Sequence, residues 1–216
     1  MEDIFRKYRD RIRILLILYT FCERIGDNSD GVFGVFRTEI KIQALDFLLR
    51  YPDFLSMELM DLMESNSQIM REEVKSIIYG IYQDREPEIR SEEMGKFFHG
   101  AYESIDDVIA FLVSVGLIRY DSKKRIDGKE YDKMYYVTHN CALKIESELI
   151  NSHAIKWYSD RCELIRKFFG EFSGSELKTR QYRYAQYKDV SYKSHIQNIN
   201  NEVKNTFAKK FNKQLA

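Results

Sequence analysis

Four Glu-x-Lys triplets are the first residues in this chain whose types and spacing could support catalysis: Glu39-Ile-Lys41, Glu73-Val-Lys75, Glu176-Leu-Lys178 and Glu202-Val-Lys204. A metal-dependent nuclease presents such a triplet on a strand, with an upstream acid completing a magnesium site. Here every triplet falls on a predicted helix or beside a loop, where the ligands would not converge. With 31% of the residues charged, four matches are what chance supplies. His139, Cys141, His153 and Cys162 fit no zinc spacing, because Cys162 lies more than two helical turns beyond His153. A Cys-His nucleophilic pair from the same residues lacks a third, orienting group. Gly95-Lys96 and Gly128-Lys129 lack both the preceding Gly-x-x-x-x and the following Ser or Thr of a phosphate loop. The expectation is a non-enzyme with no cofactor and no bound metal.

Nucleic-acid binding is better supported. A basic stretch carries Lys123, Lys124, Arg125, Lys129 and Lys133, and KTRQYRYAQYKDVSYK interleaves Lys178, Arg180, Arg183, Lys188 and Lys193 with Tyr182, Tyr184, Tyr187 and Tyr192. Bases reach phosphates and rings stack on nucleobases. Charge is segregated even though 34 basic residues balance 34 acidic ones. Residues 58–107 hold 13 acids against 5 bases, a net of −8, and residues 178–216 hold 9 bases against 2 acids, a net of +7.

These side chains must be held by predominantly helical elements. Two prolines and ten glycines are few, and Ile4, Tyr8, Ile12, Leu15, Tyr19, Cys22 and Ile25 recur at helical spacing over residues 3–25. GDNSDGVFG, residues 26–34, reads as a loop. Thr38 is placed to cap a helix that Pro52 stops. Further helices are predicted over 56–64 and 68–84, with Pro87 opening another. Ser104 with Asp107 resembles a capping box, ahead of a helix with Ile105, Val108, Ile109 and Leu112 on one face and Gly116 at its end. GLIRYDSKKR and KEYDKMYYVT, joined near Asp127-Gly128, read as a hairpin. Helix, glycine, hairpin and a further helix over 140–169 is the order of a winged helix.

The helix after this wing, with Leu143, Ile150, Ala154, Trp157, Leu164 and Phe168 in its stripe, would span roughly 45 Å over about 30 residues. That is more than a wing needs for its own core. FSGSELK breaks it, and a last helix is predicted from Tyr192 to about Phe211. The fold class is thus mainly α (α+β), a winged-helix core with one β-hairpin wing, extended by long N- and C-terminal helices. The expected segments are an N-terminal helix and loop (1–37), a winged-helix core (38–140, wing about 117–138) and a C-terminal helical extension with a basic, tyrosine-rich tail (141–216).

Glu103, Asp106 and Asp107 stand where a recognition helix meets phosphates and base edges, and they would repel a DNA backbone. DNA contact is then expected through wing and tail, weakly and without sequence preference. The same acids favour a winged helix that contacts protein. Three cysteines, Cys22, Cys141 and Cys162, leave an odd thiol in any pairing scheme, which suits a reducing cytosol. Between its charges the first segment holds only Ile14–Tyr19 as an unbroken apolar run, about a third of a membrane span. No leader cleavage site follows it. A cytoplasmic protein without membrane contact is expected.

TEIKIQALDFLLRYPDFL, residues 38–55, resembles the small middle component of bacterial ABC-three-component systems, whose best-known members are the Lamassu anti-phage and anti-plasmid defences. AFLVSVGLIRY, the basic wing and YYVTHNCALKIESEL extend the resemblance over roughly residues 5–170. It implies a non-catalytic accessory subunit beside an SMC/Rad50-like ATPase and an effector nuclease, with double-stranded DNA gripped weakly through wing and tail. It also makes the Lys41–Leu55 helix, with Lys41, Asp46, Arg50, Asp53 and Phe54, a partner-binding surface. The alternative is a free-standing winged-helix transcriptional regulator, which would dimerise on a palindromic site.

Overall fold

The structure, a computed structural model, describes residues 2–26, 30–97, 100–124, 126, 128, 130–149 and 152–215. The chain begins with helix α1 (Glu2–Phe21), strands β1 (Glu23–Arg24) and β2 (Val32–Arg37), and helices α2 (Glu39–Arg50), α3 (Pro52–Ser65), α4 (Arg71–Gln83) and α5 (Glu86–Ile89). Strands β3 (Lys96–Phe97) and β4 (Gly100–Ala101), helix α6 (Asp106–Ser114) and strands β5 (Ile118–Lys124) and β6 (Glu130–Thr138) follow. Helix α7 (His139–Lys144) passes into a π-helical turn (Ile145–Leu149), and α8 (His153–Phe169), α9 (Gly174–Gln181), α10 (Ala185–Lys188) and α11 (Asn200–Phe211) complete the chain. The protein is mainly helical with small antiparallel sheets, an α+β fold.

The chain divides into two compact units that do not follow the three consecutive segments expected from sequence. Unit 1 comprises residues 1–46 and 103–177, and unit 2 comprises 47–102 and 178–216. The chain leaves unit 1 within α2 and returns just before α6.

Unit 1 is built on a sheet of order β1-β2-β6-β5, antiparallel throughout. β2 was missed because VFGVFR begins inside the stretch read as loop. It pairs with β6 in the register Val35↔Tyr136 and Phe36↔Tyr135, while β6 pairs with β5 through Ile118↔Val137. Phe36, Tyr135, Val137 and Ile118 are buried. Gly34 is required by close approach: a Cβ there would lie 2.6 Å from Cys22 Sγ and 2.9 Å from the Glu23 carbonyl on β1.

From Arg13 to Leu18, α1 is buried on all sides, so the single expected stripe, with Tyr8 and Ile25 in it, is corrected: both of those are exposed. Helix α1 packs on α8 and α6. Buried Arg13 pairs there with buried Asp46 and, at 2.8 Å, with Asp10.

The long helix expected over 140–169 is broken at the π-helical turn. In α8 the buried face is Ile155, Cys162, Ile165 and Phe169, while Trp157, Leu164 and Phe168 of the predicted stripe are only partly buried. Leu143 is exposed and Ile150 lies outside the described residues. The expected capping box at Ser104 is absent: Ser104 Oγ donates to Asp106, and α6 has no side-chain cap. A box forms instead at Ser173 and Glu176, whose backbone N–H groups donate reciprocally to Glu176 Oε2 (2.8 Å) and Ser173 Oγ (3.2 Å). FSGSELK therefore begins α9 as well as ending α8.

Unit 2 gathers α3, α4, α5, α10 and α11 around a cluster of rings. Phe47 stacks on Tyr51 at 4.5 Å between ring centres and meets Phe54 and Tyr187 edge-on at 4.9 and 5.0 Å. The Tyr51 hydroxyl donates to the Ile196 carbonyl at 3.0 Å and accepts from Met94 N–H at 2.8 Å. Pro52 opens α3 as α2 ends. The terminal helix starts at Asn200, eight residues later than predicted.

Candidate functional site

The β5–β6 hairpin and α6 are the parts of unit 1 that bear the expected interface. Lys123 Nζ lies 2.6 Å from Asp132 Oδ2, with both side chains exposed. This pairing raises the lysine and lowers the carboxyl relative to their usual ranges, but at an open surface it adds little stability. Lys124 is exposed; Arg125 and Lys129 lie outside the described residues. Lys133 is partly buried and pairs with Glu39. Burial pulls its amine down, and Glu39 more than offsets this. Of the five wing bases expected at nucleic acid, Lys123 and Lys124 are thus placed at the surface, while Lys133 is turned to α2.

The sequence of α6, DDVIAFLVS, has no base. Ile109 and Leu112 face the core, while Asp106, Asp107, Ala110, Val113 and Ser114 are exposed. The flanking helix α1 brings Arg6 to within 2.8 Å of Glu103 and lays the Arg11 guanidinium 3.7 Å over the Phe111 ring. Apolar Val113 and Val115 were not singled out by the sequence, although both lie off the buried stripe of Ile105, Ile109 and Leu112.

The tyrosine-rich segment is not a tail. Arg180 is buried, with Nε 2.5 Å from Glu58 Oε2, which removes it from any phosphate. Burial raises the Glu58 carboxyl against the opposing pull of Arg180. The Tyr184 hydroxyl donates to Asp61 Oδ2 at 2.8 Å. Its phenol is pushed far up by burial, then by Glu58 and Asp61. Tyr187 is buried and accepts the Ala101 N–H at 2.7 Å, and Tyr182 packs edge-on against it at 5.2 Å. Arg183 and Lys188 are exposed, so of the five tail residues expected at nucleic acid these two remain at the surface.

The partner surface expected on α2 and α3 is likewise corrected. Asp46, Arg50, Asp53 and Phe54 are each at most 2% exposed. Arg50 donates to the Glu92 carbonyl at 3.1 Å, and Asp53 Oδ2 accepts the Ile199 N–H at 2.6 Å. Burial raises the Asp53 carboxyl. Half-buried Lys41 donates to the Gly170 carbonyl at 2.9 Å, capping the end of α8, and burial lowers its amine. The dense polar pattern of this stretch therefore serves the interior, which a one-dimensional reading cannot distinguish from a charged face.

Lys41 also lines an open cleft of about 500 Å³ with Arg37, Arg166, Glu23, Glu171 and Ser173. Its charges are mixed, and the thiol at its edge, Cys22, is raised by burial and thereby held protonated. The four Glu-x-Lys triplets fall on α2, α4, α9 and α11, or at their edges. The described cysteines Cys22, Cys141 and Cys162 are buried and free, and burial pushes Cys141 up to about 12. Among the described residues no cluster of His, Cys, Asp and Glu could hold a metal ion, and no helix is long and apolar enough to cross a membrane.

None of the family models, curated proteins or solved structures compared with this chain matches it.

Proposed function

We propose that the chain is a non-catalytic winged-helix subunit whose α6 face contacts protein and whose wing adds weak, non-specific contacts to double-stranded DNA. The connectivity of unit 1 supports the winged-helix reading. It runs helix (α1), strand (β2), helix (α2), helix (α6) and hairpin (β5–β6), with β2 paired to the second hairpin strand. Residues 47–102 of unit 2 are then inserted between the second and third of these helices, α2 and α6. The observation that carries the function is the exposed side of α6, which offers Asp106 and Asp107 followed by small apolar residues and no base. A recognition helix reads DNA by bringing donors and positive charge to the major groove. This one presents charge of the wrong sign, whereas aromatic, apolar and arginine side chains around it are the currency of protein interfaces.

Within that reading, the resemblance of residues 38–55 supports a place beside an SMC/Rad50-like ATPase and an effector nuclease in an anti-phage or anti-plasmid defence complex. The test is capture of the tagged chain from cells carrying its neighbouring genes, at moderate salt and read by mass spectrometry. Recovery of a coiled-coil ATPase is expected, and Lys123→Glu/Lys124→Glu should leave that capture intact. The same variant should weaken DNA binding evenly across sequences and reduce the salt slope by about 1 for each phosphate that is no longer neutralised. A footprint on one palindromic sequence would overturn the proposal in favour of a transcriptional regulator.

A further inference from the structure

Unit 1 carries an exposed, basic and aromatic helix end and an exposed helix face that is acidic and partly apolar. The amino-terminal turns of α1 are exposed on every side from Phe5 to Arg9. Phe5 is 65% and Tyr8 56% exposed. With half-buried Ile12 they stand at i, i+3 and i+7, the anchor spacing of an amphipathic helix that lies in a groove. Arg6, Lys7, Arg9 and Arg11 surround these anchors; Arg6 pairs with Glu103, Arg11 lies over the Tyr8 and Phe111 rings, and Asp10 is engaged by Arg13 at 2.8 Å. The complementary half is α6, where Val113 is 42% exposed and neighbouring Val115 45%, with Asp106 and Asp107 in the first turn and Glu103 ahead of it.

The two helices already use this chemistry on each other, a base on an acid (Arg6–Glu103) and a guanidinium on a ring (Arg11–Phe111). We propose that the exposed end of α1 and the exposed face of α6 form an isologous interface with a second copy of this chain, each α1 end resting on the other copy's α6. A two-fold axis makes every base-on-acid contact twice and covers both sets of apolar side chains. A foreign basic helix would cover α6 but leave Phe5 and Tyr8 in water. The inference rests on the reading of α6 as a protein-contacting face and names its partner.

Sedimentation velocity of the full chain over a range of micromolar concentrations tests it. A monomer–dimer equilibrium weakened by salt is expected. Asp106→Lys/Asp107→Lys and Lys7→Glu/Arg9→Glu should each weaken self-association about tenfold or more. An equimolar mixture of the two variants should associate again, because their charges are once more complementary, and that recovery shows both to be folded. A chain that stays monomeric throughout overturns the interface, as does a mixture that fails to associate. If the chain is monomeric and Asp106→Lys/Asp107→Lys abolishes capture of a foreign protein, the second-copy assignment fails and the protein-contacting reading of α6 survives. If the chain is monomeric and capture is absent or unchanged in that variant, both fail.

Discussion

Unit 2 draws several buried or half-buried acids onto groups more than a hundred residues away, whereas the α6 acids and the Lys123–Asp132 pair of unit 1 stay at the surface. In unit 2, Glu58 meets Arg180, Asp61 meets Tyr184 and Asp53 meets the Ile199 N–H, at separations of 122, 123 and 146 residues. Glu64 adds Lys210, also 146 residues on. Two ion pairs, Glu58–Arg180 and Glu64–Lys210, thus join the acidic stretch 58–107 (net −8) to the basic stretch 178–216 (net +7). In unit 1, Lys123 and Asp132 are nine residues apart and exposed, and the acids of α6 face water. Residues that look like a binding site can thus be the cement of one unit and the outward face of the other.

The largest expected effect comes from breaking a buried pair in unit 2. Arg180→Ala leaves Glu58 buried without its cation, at a cost of about 3–5 kcal/mol. Glu58→Leu/Arg180→Met should recover most of that loss, because two apolar side chains remove both desolvated charges. Hydrogen exchange should show the loss in α3 and α9–α11. The only tryptophan, Trp157, belongs to unit 1, so its fluorescence transition reports the other unit. If both readouts move equally, the contrast between the units is wrong.

A smaller effect is expected in unit 1 from Gly34→Ala. The added methyl meets Cys22 Sγ at 2.6 Å and a backbone carbonyl at 2.9 Å, and the carbonyl cannot swing aside as a side chain can. Roughly 1–3 kcal/mol should be lost, seen as an earlier Trp157 transition in urea. An unchanged midpoint would mean that β1 is free to move away from β2.

The smallest effect is a pH dependence in unit 2. Burial raises Asp53 above its unfolded-state pKa, so the folded protein holds this proton more tightly. The contribution is fully present below the ordinary carboxylate range and is lost as pH rises through the raised pKa. Asp53→Asn keeps an acceptor for the Ile199 N–H and cannot ionise. Its stability relative to the parent should therefore grow from acidic towards neutral pH, with a slope of at most about 1.4 kcal/mol per pH unit. A difference that stays flat with pH would place the titration elsewhere.

Local patterns were read well from the sequence. The β5–β6 hairpin, Gly116 at φ +70° after α6 and the end of α2 ahead of Pro52 follow from backbone preferences of a few neighbouring residues, whereas Pro52 itself opening α3, four residues before the helix expected over 56–64, does not. Strand β2 was not, because its glycine and its position beside a loop disguise a run that only the pairing with β6 makes extended. The face of α8 was misjudged for a related reason. Trp157 and Phe168 are larger than Ile155, Cys162 and Ile165, yet α8, which packs on α1, buries the latter set. For the candidate site, the acidity of α6 and the exposure of Lys123 and Lys124 were legible. The burial of Arg180, Tyr187 and Asp53 was not.

The β5–β6 hairpin, the glycine that ends α6 and the absence of bases from α6 are properties of the sequence alone, because each depends on residues within a few positions of one another. Tertiary structure decided which charges meet, through pairings more than a hundred residues apart. It also decided that residues 47–102 join the C-terminal segment while residues 103–177 return to the first helices. A residue's type sets the cost of burying it, but whether it is buried depends on what the rest of the chain brings to it.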